Sequence, residues 1–465
     1  MFVKQLYTNC LAEAAYYIES NGEAAIIDPI RESEPYIELA KERGVKIKYV
    51  FETHFHADFI SGHIDLANKT GAQIIFGPKA ETKYKVYNAK DGEDFRIGNT
   101  TIRAIHTPGH TPESTCYLLL DEKGKEYCIF TGDTLFVGDV GRPDLLDGKM
   151  TKEELGGMMY DSLTNKIKKL PDDVIVYPAH GAGSSCGKSI GKETWSTIGE
   201  QKKTNYALRE MSKADFVKEL TEGLTPPPAY FFKDAAINKN GYDAIDDVKK
   251  KNVNALSVDE FERAIKNGAL VLDTRHTDIF EKGFVKGALS FSLSGTYAIW
   301  VGTLIDINQP LLIVADEGKE EESIMRLARV GFENVEGFLK GGFAAWQQAG
   351  KPVDTVSSID AAEFAKRVKE NGHVLDVRKL SEAEAGHVKN AMVIPLAELE
   401  KNLDSISKDE SIMIHCTSGY RSMVAASMLK AKGFHHVLNV SGGWNEIKKT
   451  DVPIETGIPG NLVIP

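Results

Sequence analysis

The feature that most limits what this 465-residue chain can fold into is a duplication. Residues 256–350 and 356–450 repeat each other at an offset of about 100, and only two copies occur, so this is a doubled domain rather than a solenoid. Val271-Leu272-Asp273-Thr274-Arg275 matches Val374-Leu375-Asp376-Val377-Arg378, and Gly283-Phe284-Val285-Lys286-Gly287-Ala288 matches Gly386-His387-Val388-Lys389-Asn390-Ala391. Gly341-Gly342-Phe343 matches Gly442-Gly443-Trp444. Each copy alternates strand and helix patterns, as a parallel sheet with helices on both faces requires. The length as a whole fits roughly three domains at ~150 residues each.

Ahead of the duplication, residues 1 to about 200 also alternate strands with helices. Glu34 to Arg43 reads as a helix closed by Gly44, and Phe95 to Ile105 as a hairpin around Gly98-Asn99. Cys116–Leu120 and Glu126–Phe130 read as a second hairpin. Four apolar strands each end in polar residues able to bind a metal. Ile47 to Phe51 runs into Thr53-His54-Phe55-His56-Ala57-Asp58, with a helix expected from Ile64 to Lys69. The others run into His106-Thr107-Pro108-Gly109-His110-Thr111, Thr131-Gly132-Asp133-Thr134 and Pro178-Ala179-His180-Gly181. Alternate residues of an extended segment point the same way, so imidazoles and carboxylates at this spacing can converge on one ion. A rigid sheet would then position a site built on loops.

These four motifs in this order resemble the metallo-β-lactamase superfamily, over about residues 1–250. The resemblance implies a four-layer αββα sandwich with the metal at one edge. Two-metal hydrolases of that superfamily, such as glyoxalase II, carry a further histidine directly after the motif's aspartate. Here that residue is Phe59, whose ring cannot ligate a metal. Ala57-Asp58-Phe59-Ile60-Ser61-Gly62-His63, Gly141-Arg142-Pro143-Asp144-Leu145 and Gly181 to Lys188 are similar to the persulfide dioxygenases. That resemblance implies one Fe(II) per chain, held by His54, His110 and Asp133. Two imidazoles and one carboxylate on one face leave three positions open, the arrangement of non-haem Fe(II) oxygenases.

His56, Asp58 and His180 are then candidates for orienting ligands or substrate. Arg142 is expected, by resemblance, to bind the carboxylate of a glutathione-type substrate, which suits a guanidinium fork. An ion pair with Asp139 or Asp144 is the alternative for it. Cys186 is either a thiol facing the metal and carrying sulfur or a buried inert one. Cys10, Cys116 and Cys128 read as core residues. The five cysteines have no regular spacing and are expected to stay free.

Both duplicated units resemble rhodanese domains, the sulfurtransferases. The second carries Cys416-Thr417-Ser418-Gly419-Tyr420-Arg421-Ser422 between the strand Ile412–His415 and a helix expected near Met423. Backbone N–H groups of such a loop can converge on an anion at Cys416, and their field with Arg421 favours a thiolate. A thiolate that attacks a sulfur–sulfur bond becomes a persulfide and passes the outer sulfur on. Cysteine phosphatases keep one residue more between Cys and Arg, so this spacing suits a rhodanese. The first copy has Asp316 where the cysteine would stand and Glu321 where the arginine would stand, and is expected to be inactive.

The expected domains are therefore 1–250, 256–352 and 356–465, with 246–255 as a linker and the proline run from Thr225 closing the first domain. The expected activity is oxidation of a low-molecular-weight persulfide by O2 to sulfite and thiol, with sulfur transfer at Cys416 forming or using thiosulfate. Thioester hydrolysis of the glyoxalase II kind is the alternative, and a non-enzymatic sulfur sensor is a further one. A net charge of −11 leaves no basic excess for nucleic acid. No apolar run approaches the ~20 residues of a membrane span, and Met1 to Tyr7 has no leader pattern. A cytoplasmic protein is expected, and the superfamily resemblance implies a homodimer or tetramer.

Overall fold

The computed structural model describes residues 1–145, 150–224 and 226–463; Thr225 and residues 464 and 465 lie outside the described residues. The chain divides into two compact units, residues 1–248 with 327–332, and residues 249–326 with 333–465. No helix among the described residues is long and apolar enough to cross a membrane.

The first unit is built on two six-stranded sheets. β1 (Phe2–Thr8), β2 (Glu13–Ser20), β3 (Glu23–Ile27), β4 (Lys46–Phe51), β5 (Gln73–Phe76) and β6 (Tyr87–Asn88) lie side by side in that order. The first three are antiparallel, and β3 to β6 run parallel. The second sheet holds β7 (Asp94–Ile97), β8 (Thr100–His106), β9 (Thr115–Leu120), β10 (Glu126–Gly132), β11 (Ile175–Pro178) and β12 (Ser196–Thr197). Only β10 and β11 pair in parallel there. Both expected hairpins are present.

Period-two alternation sorts the side chains into layers. Tyr16, Ile18, Phe51 and Ile75 of the first sheet meet Ile102, Tyr117, Leu119 and Phe130 of the second. Ala15, Tyr17 and Val50 point the other way, onto Tyr36 and Ala40 of the helix Glu34–Arg43. Cys116, Leu118 and Ile129 likewise turn outward, onto Met159 and Leu163 of the helix Lys152–Asn165 and Phe216 of Lys213–Thr221. The result is the αββα sandwich. The loops following β4, β8, β10 and β11 carry the polar motifs.

The stretch 246–255 is not a free linker: Ile245–Asn252 is a helix. Its two buried apolar residues, Ile245 and Val248, stand three apart on one face, while Asp246 and Asp247 open it and Lys249 to Lys251 close it, matching the helix dipole.

In the second unit each copy forms a five-stranded parallel sheet with the same order. The repeated Asp-x-Arg explains itself structurally. Arg275 grips Asp273 at 2.9 and 2.5 Å and donates to the Gly283 carbonyl at 2.9 Å. Arg378 grips Asp376 at 2.9 and 2.6 Å and donates to Gly386 at 2.8 Å. Each guanidinium lies under the aromatic residue of the Gly-Gly-aromatic motif, Phe343 at 4.5 Å or Trp444 at 4.3 Å. All four charged side chains are buried. Removing one partner strands the other charge in the interior. Asp273→Ala and Asp376→Ala should therefore each cost about 3–5 kcal/mol in urea unfolding. Asp173→Ala, which breaks the solvent-exposed pair with Lys125, should leave the curve unchanged.

Candidate functional site

His54, His110 and Asp133 are brought together at the edge of the sandwich, all buried, with one ligand atom of each within 4.8 Å of the others. Asp133 Oδ2 is 3.4 Å from His110 Nε2 and 3.9 Å from His54 Nε2. Neither His54 Nε2 nor Asp133 Oδ2 has a hydrogen-bond partner among the described residues. Buried polar atoms are seldom left so. Donors converging without partners are what a metal site requires, and an N₂O set on one face suits Fe(II).

The second layer fixes which nitrogen of each ring carries the proton. Thr53 Oγ1 donates its single proton to Asp28 Oδ2 at 2.8 Å, so it accepts from His54 Nδ1 at 2.9 Å. His110 Nδ1 lies 2.7 Å from the Arg142 carbonyl, which only accepts. Both rings therefore hold their proton on Nδ1 and turn a bare Nε2 inward. Burial, with His56 beside it, keeps the His54 pKa well below its ordinary value. Burial acts against the Asp133 carboxylate, but His180, His110 and His54 outweigh it and hold its carboxyl well below the usual range.

His56 turns away from this triad. Its Nε2 is 3.1 Å from Asp28 Oδ1 and 3.7 Å from Glu52 Oε2, and its ring packs on Phe59 with centroids 4.3 Å apart. His180 sits on the other side of Asp133. Its Nδ1 is 2.8 Å from Asp133 Oδ1 and its Nε2 is 2.8 Å from Asp58 Oδ2. Burial disfavours charge on this imidazole, yet Asp133 and Asp58 together raise its pKa well above the ordinary value. Cys186 is buried, its thiol pushed well up by burial and by Asp58 and Asp133. Cys116 and Cys128 are core residues, whereas Cys10 is half-buried.

Arg142 forms an ion pair in this structure. Its guanidinium is taken by Asp144, Nε at 2.6 Å and Nη2 at 2.7 Å, the ion pair that was its alternative. Its backbone carbonyl meets His110 Nδ1. The sequence reading placed Thr53 in the motif without a role and gave none to Asp28 or Glu52. The signals for Asp28 and Glu52 were carboxylates at the ends of apolar strands, and Asp28 also takes the left-handed conformation with φ of 50°.

In the second duplicated domain Cys416 is buried at the end of Ile412–His415, and its Sγ accepts the Gly419 N–H at 3.1 Å. The helix begins at Tyr420, three residues before the expected Met423. Gly419, with φ of 110°, lets the chain turn straight into it and puts Arg421 and Ser422 in its first turn. Gly443 crosses so close that a Cβ there would lie 2.4 Å from the Cys416 carbonyl, which accounts for the glycine at that position. Arg421 is clamped by Glu382 at 2.6 and 2.8 Å and reaches Thr417 Oγ1 at 2.7 Å. Burial favours the neutral acid, but Arg421 and Thr417 bring the Glu382 carboxyl down to about 2. Ser422 Oγ donates to Asn439 at 2.7 Å, Ser418 is exposed, and Tyr420 packs toward Gly295 of the first copy. In the first copy Asp316 is exposed and Glu321 pairs with Lys249.

Comparison with known proteins accords with this geometry. A family model described as the metallo-beta-lactamase superfamily matches residues 8–180, and one described as the rhodanese-like domain matches residues 257–349 and 360–450. The mitochondrial persulfide dioxygenase ETHE1 of Homo sapiens is 31% identical over 208 residues, 44% of this chain and 74% of its own length. The probable hydroxyacylglutathione hydrolase glo2 of Schizosaccharomyces pombe is 34% identical over 160 residues, 34% of this chain and 58% of its own length. Among solved structures, a metallo-beta-lactamase from Staphylococcus aureus subsp. aureus COL is 32% identical with a TM-score of 0.65, covering 73% of this chain and 99% of that one. With the sandwich, the triad at its edge and the Cys416 loop on one polypeptide, the chain belongs to the metallo-β-lactamase superfamily, joined to two rhodanese-like domains.

Proposed function

We propose that this chain oxidises a low-molecular-weight persulfide, such as glutathione persulfide, and transfers sulfane sulfur at Cys416. The observation that carries the first half is the triad His54, His110 and Asp133, with two bare Nε2 atoms and one carboxylate oxygen turned to one point. One Fe(II) held there would bind the terminal persulfide sulfur and activate O2 beside it. The balanced reaction is RSS⁻ + O2 + H2O → RSH + SO3²⁻ + H⁺. Thr53 and the Arg142 carbonyl keep the two imidazoles oriented, and Asp133 stays ionised. Phe59 is buried against His56.

At the second site Gly419 N–H supports the thiolate of Cys416. In one direction CysS⁻ + S2O3²⁻ → CysSS⁻ + SO3²⁻, and the reverse makes thiosulfate from sulfite leaving the first site. The hydroxyacylglutathione hydrolase relatives support a second reading, metal-dependent thioester hydrolysis.

Oxygen consumption by anaerobically purified, iron-quantified full-length protein given glutathione persulfide separates the two. Uptake in proportion to bound iron, with sulfite appearing, is expected; zinc content with thioester hydrolysis and no uptake would overturn the proposal. Cys416→Ser should abolish thiosulfate formation and leave oxygen uptake with added persulfide in place. Thr53→Val removes the acceptor for His54 Nδ1 and should weaken iron binding about 10- to 100-fold in a competitive chelator titration. Glu382 neutralises Arg421 at the mouth of the Cys416 loop. Glu382→Gln should lower the KM for the thiosulfate dianion on the order of fivefold, since one unit charge about 4 Å away in water is worth ~1 kcal/mol.

A further inference from the structure

The Cys416 loop leans on the copy that has no cysteine of its own. The helix Tyr420–Ala431 starts directly after Gly419, whose N–H meets Cys416 Sγ. Within the second unit this helix is fastened to the first copy at two points. At its middle, Ser427 Oγ accepts the Ser290 N–H at 3.0 Å, and both residues are buried. At its first residue, the Tyr420 ring rests on Gly295, where a Cβ would fall 2.4 Å from Tyr420 Cε2 and 2.7 Å from Cδ2. The turn that carries Gly295 is itself held. Buried Arg326 donates to the Leu293 carbonyl at 2.8 Å and to the Gly295 carbonyl at 3.3 Å, and its guanidinium stands 5.7 Å from the centre of the buried Tyr297 ring. The Leu293 N–H donates to the Thr274 carbonyl at 3.1 Å, which ties the turn to the end of the first copy's strand Leu270–Asp273. The Tyr420 hydroxyl is buried and has no hydrogen-bond partner among the described residues, so the ring, not a polar bond, makes the junction.

We propose that the first copy is a strut for the nucleophile loop: Gly295, seated by Arg326, sets the place of the Tyr420 ring and, through it, of the Gly419 N–H that meets Cys416 Sγ. Tyr420, Gly295 and Arg326 are positioning residues, which act on the sulfur through Gly419. The linkage is short, since Gly419 and Tyr420 share a peptide bond and Gly419 already takes φ of 110°. Carbon atoms rest about 3.5–4.0 Å apart, so a methyl group at position 295 forces the ring back by about 1 Å. The hydroxyl end of the ring is buried, which leaves it little room to swing alone, and the displacement passes to the backbone. A shift of about 1 Å at a reacting geometry can cost ~100-fold in rate. This role rests on the sulfur-transfer reading of Cys416.

Sulfur transfer from thiosulfate to cyanide by the full-length protein tests it, with urea unfolding to show that each variant is folded under assay conditions. Gly295→Ala should lower kcat on the order of 10- to 100-fold and leave the KM for thiosulfate within about twofold. Tyr420→Ala should do the same, and the two together should lose no more than either alone, because both act through one ring. Tyr420→Phe keeps the ring and should retain most of the rate that Tyr420→Ala loses. Wild-type rates in folded Gly295→Ala and Tyr420→Ala overturn the strut, as does a Gly295→Ala loss that persists in full in the Tyr420→Ala background. Should Gly295→Ala fail to fold, equal losses in Tyr420→Phe and Tyr420→Ala overturn it. Absence of sulfur transfer in the wild type instead overturns the reading beneath it, so the two failures are told apart.

Discussion

The first unit depends on one carboxylate that faces two ways. Asp133 turns Oδ2 toward His54 and His110 and Oδ1 toward His180. His54 comes from the end of β4 in one sheet; His110, Asp133 and His180 come from the ends of β8, β10 and β11 in the other. The site is thus a seam, and its width is set by how the two sheets pack. Aromatic side chains of the intervening layer hold that width, Phe51 against Tyr117 and Tyr16 against Phe130. Gly132 takes φ of 52°, and a Cβ there would fall 2.5 Å from Thr53 Oγ1. The residue before Asp133 and the residue before His54 therefore touch, and neither motif can shift without the other.

Much of this was legible in the sequence because each candidate site residue follows its own apolar strand. A strand that must be buried has a defined end, and the residue after that end has few places to go. His54, His110, Asp133 and His180 were read in this way. Asp28 was not, because its hydrogen bonds to Thr53 rest on the parallel pairing of β3 with β4, which no local pattern displays. The carbonyl of Arg142 has no sequence signature at all, since every residue carries one. For its guanidinium, a neighbouring carboxylate two residues on and a carboxylate on a substrate are equivalent partners chemically, so sequence alone could not choose between them. The helix Ile245–Asn252 was hidden by its charges, with only Ile245 and Val248 to mark its buried face.

The duplicated domains show the same separation between scaffold and chemistry. Sheet order, the Asp-x-Arg clamp and the glycine pair recur in both. Only the loop differs in kind. In the second copy its charges are arranged around sulfur, with Glu382 holding Arg421 beside Cys416. In the first, the residue corresponding to Glu382 is Ile279, 46% exposed, so the clamp for a loop arginine is missing together with the arginine. Acidic residues at 320–322 instead occupy the first turn of the helix Glu320–Ala328, where they favour the helix dipole.

The Asp-x-Arg clamp has one more implication. It ties strand end, turn and aromatic lid together in both copies, with the nucleophile loop and without it. The loop meets the lid through its backbone, at the Cys416 and Thr417 carbonyls, so its side chains can diverge while the scaffold persists. The converse also holds: the first copy is a socket that has kept its mounting. A transplanted loop would need its counter-ion at position 279 as well as its cysteine and arginine, which makes that domain a scaffold on which sulfur chemistry can be rebuilt one residue at a time.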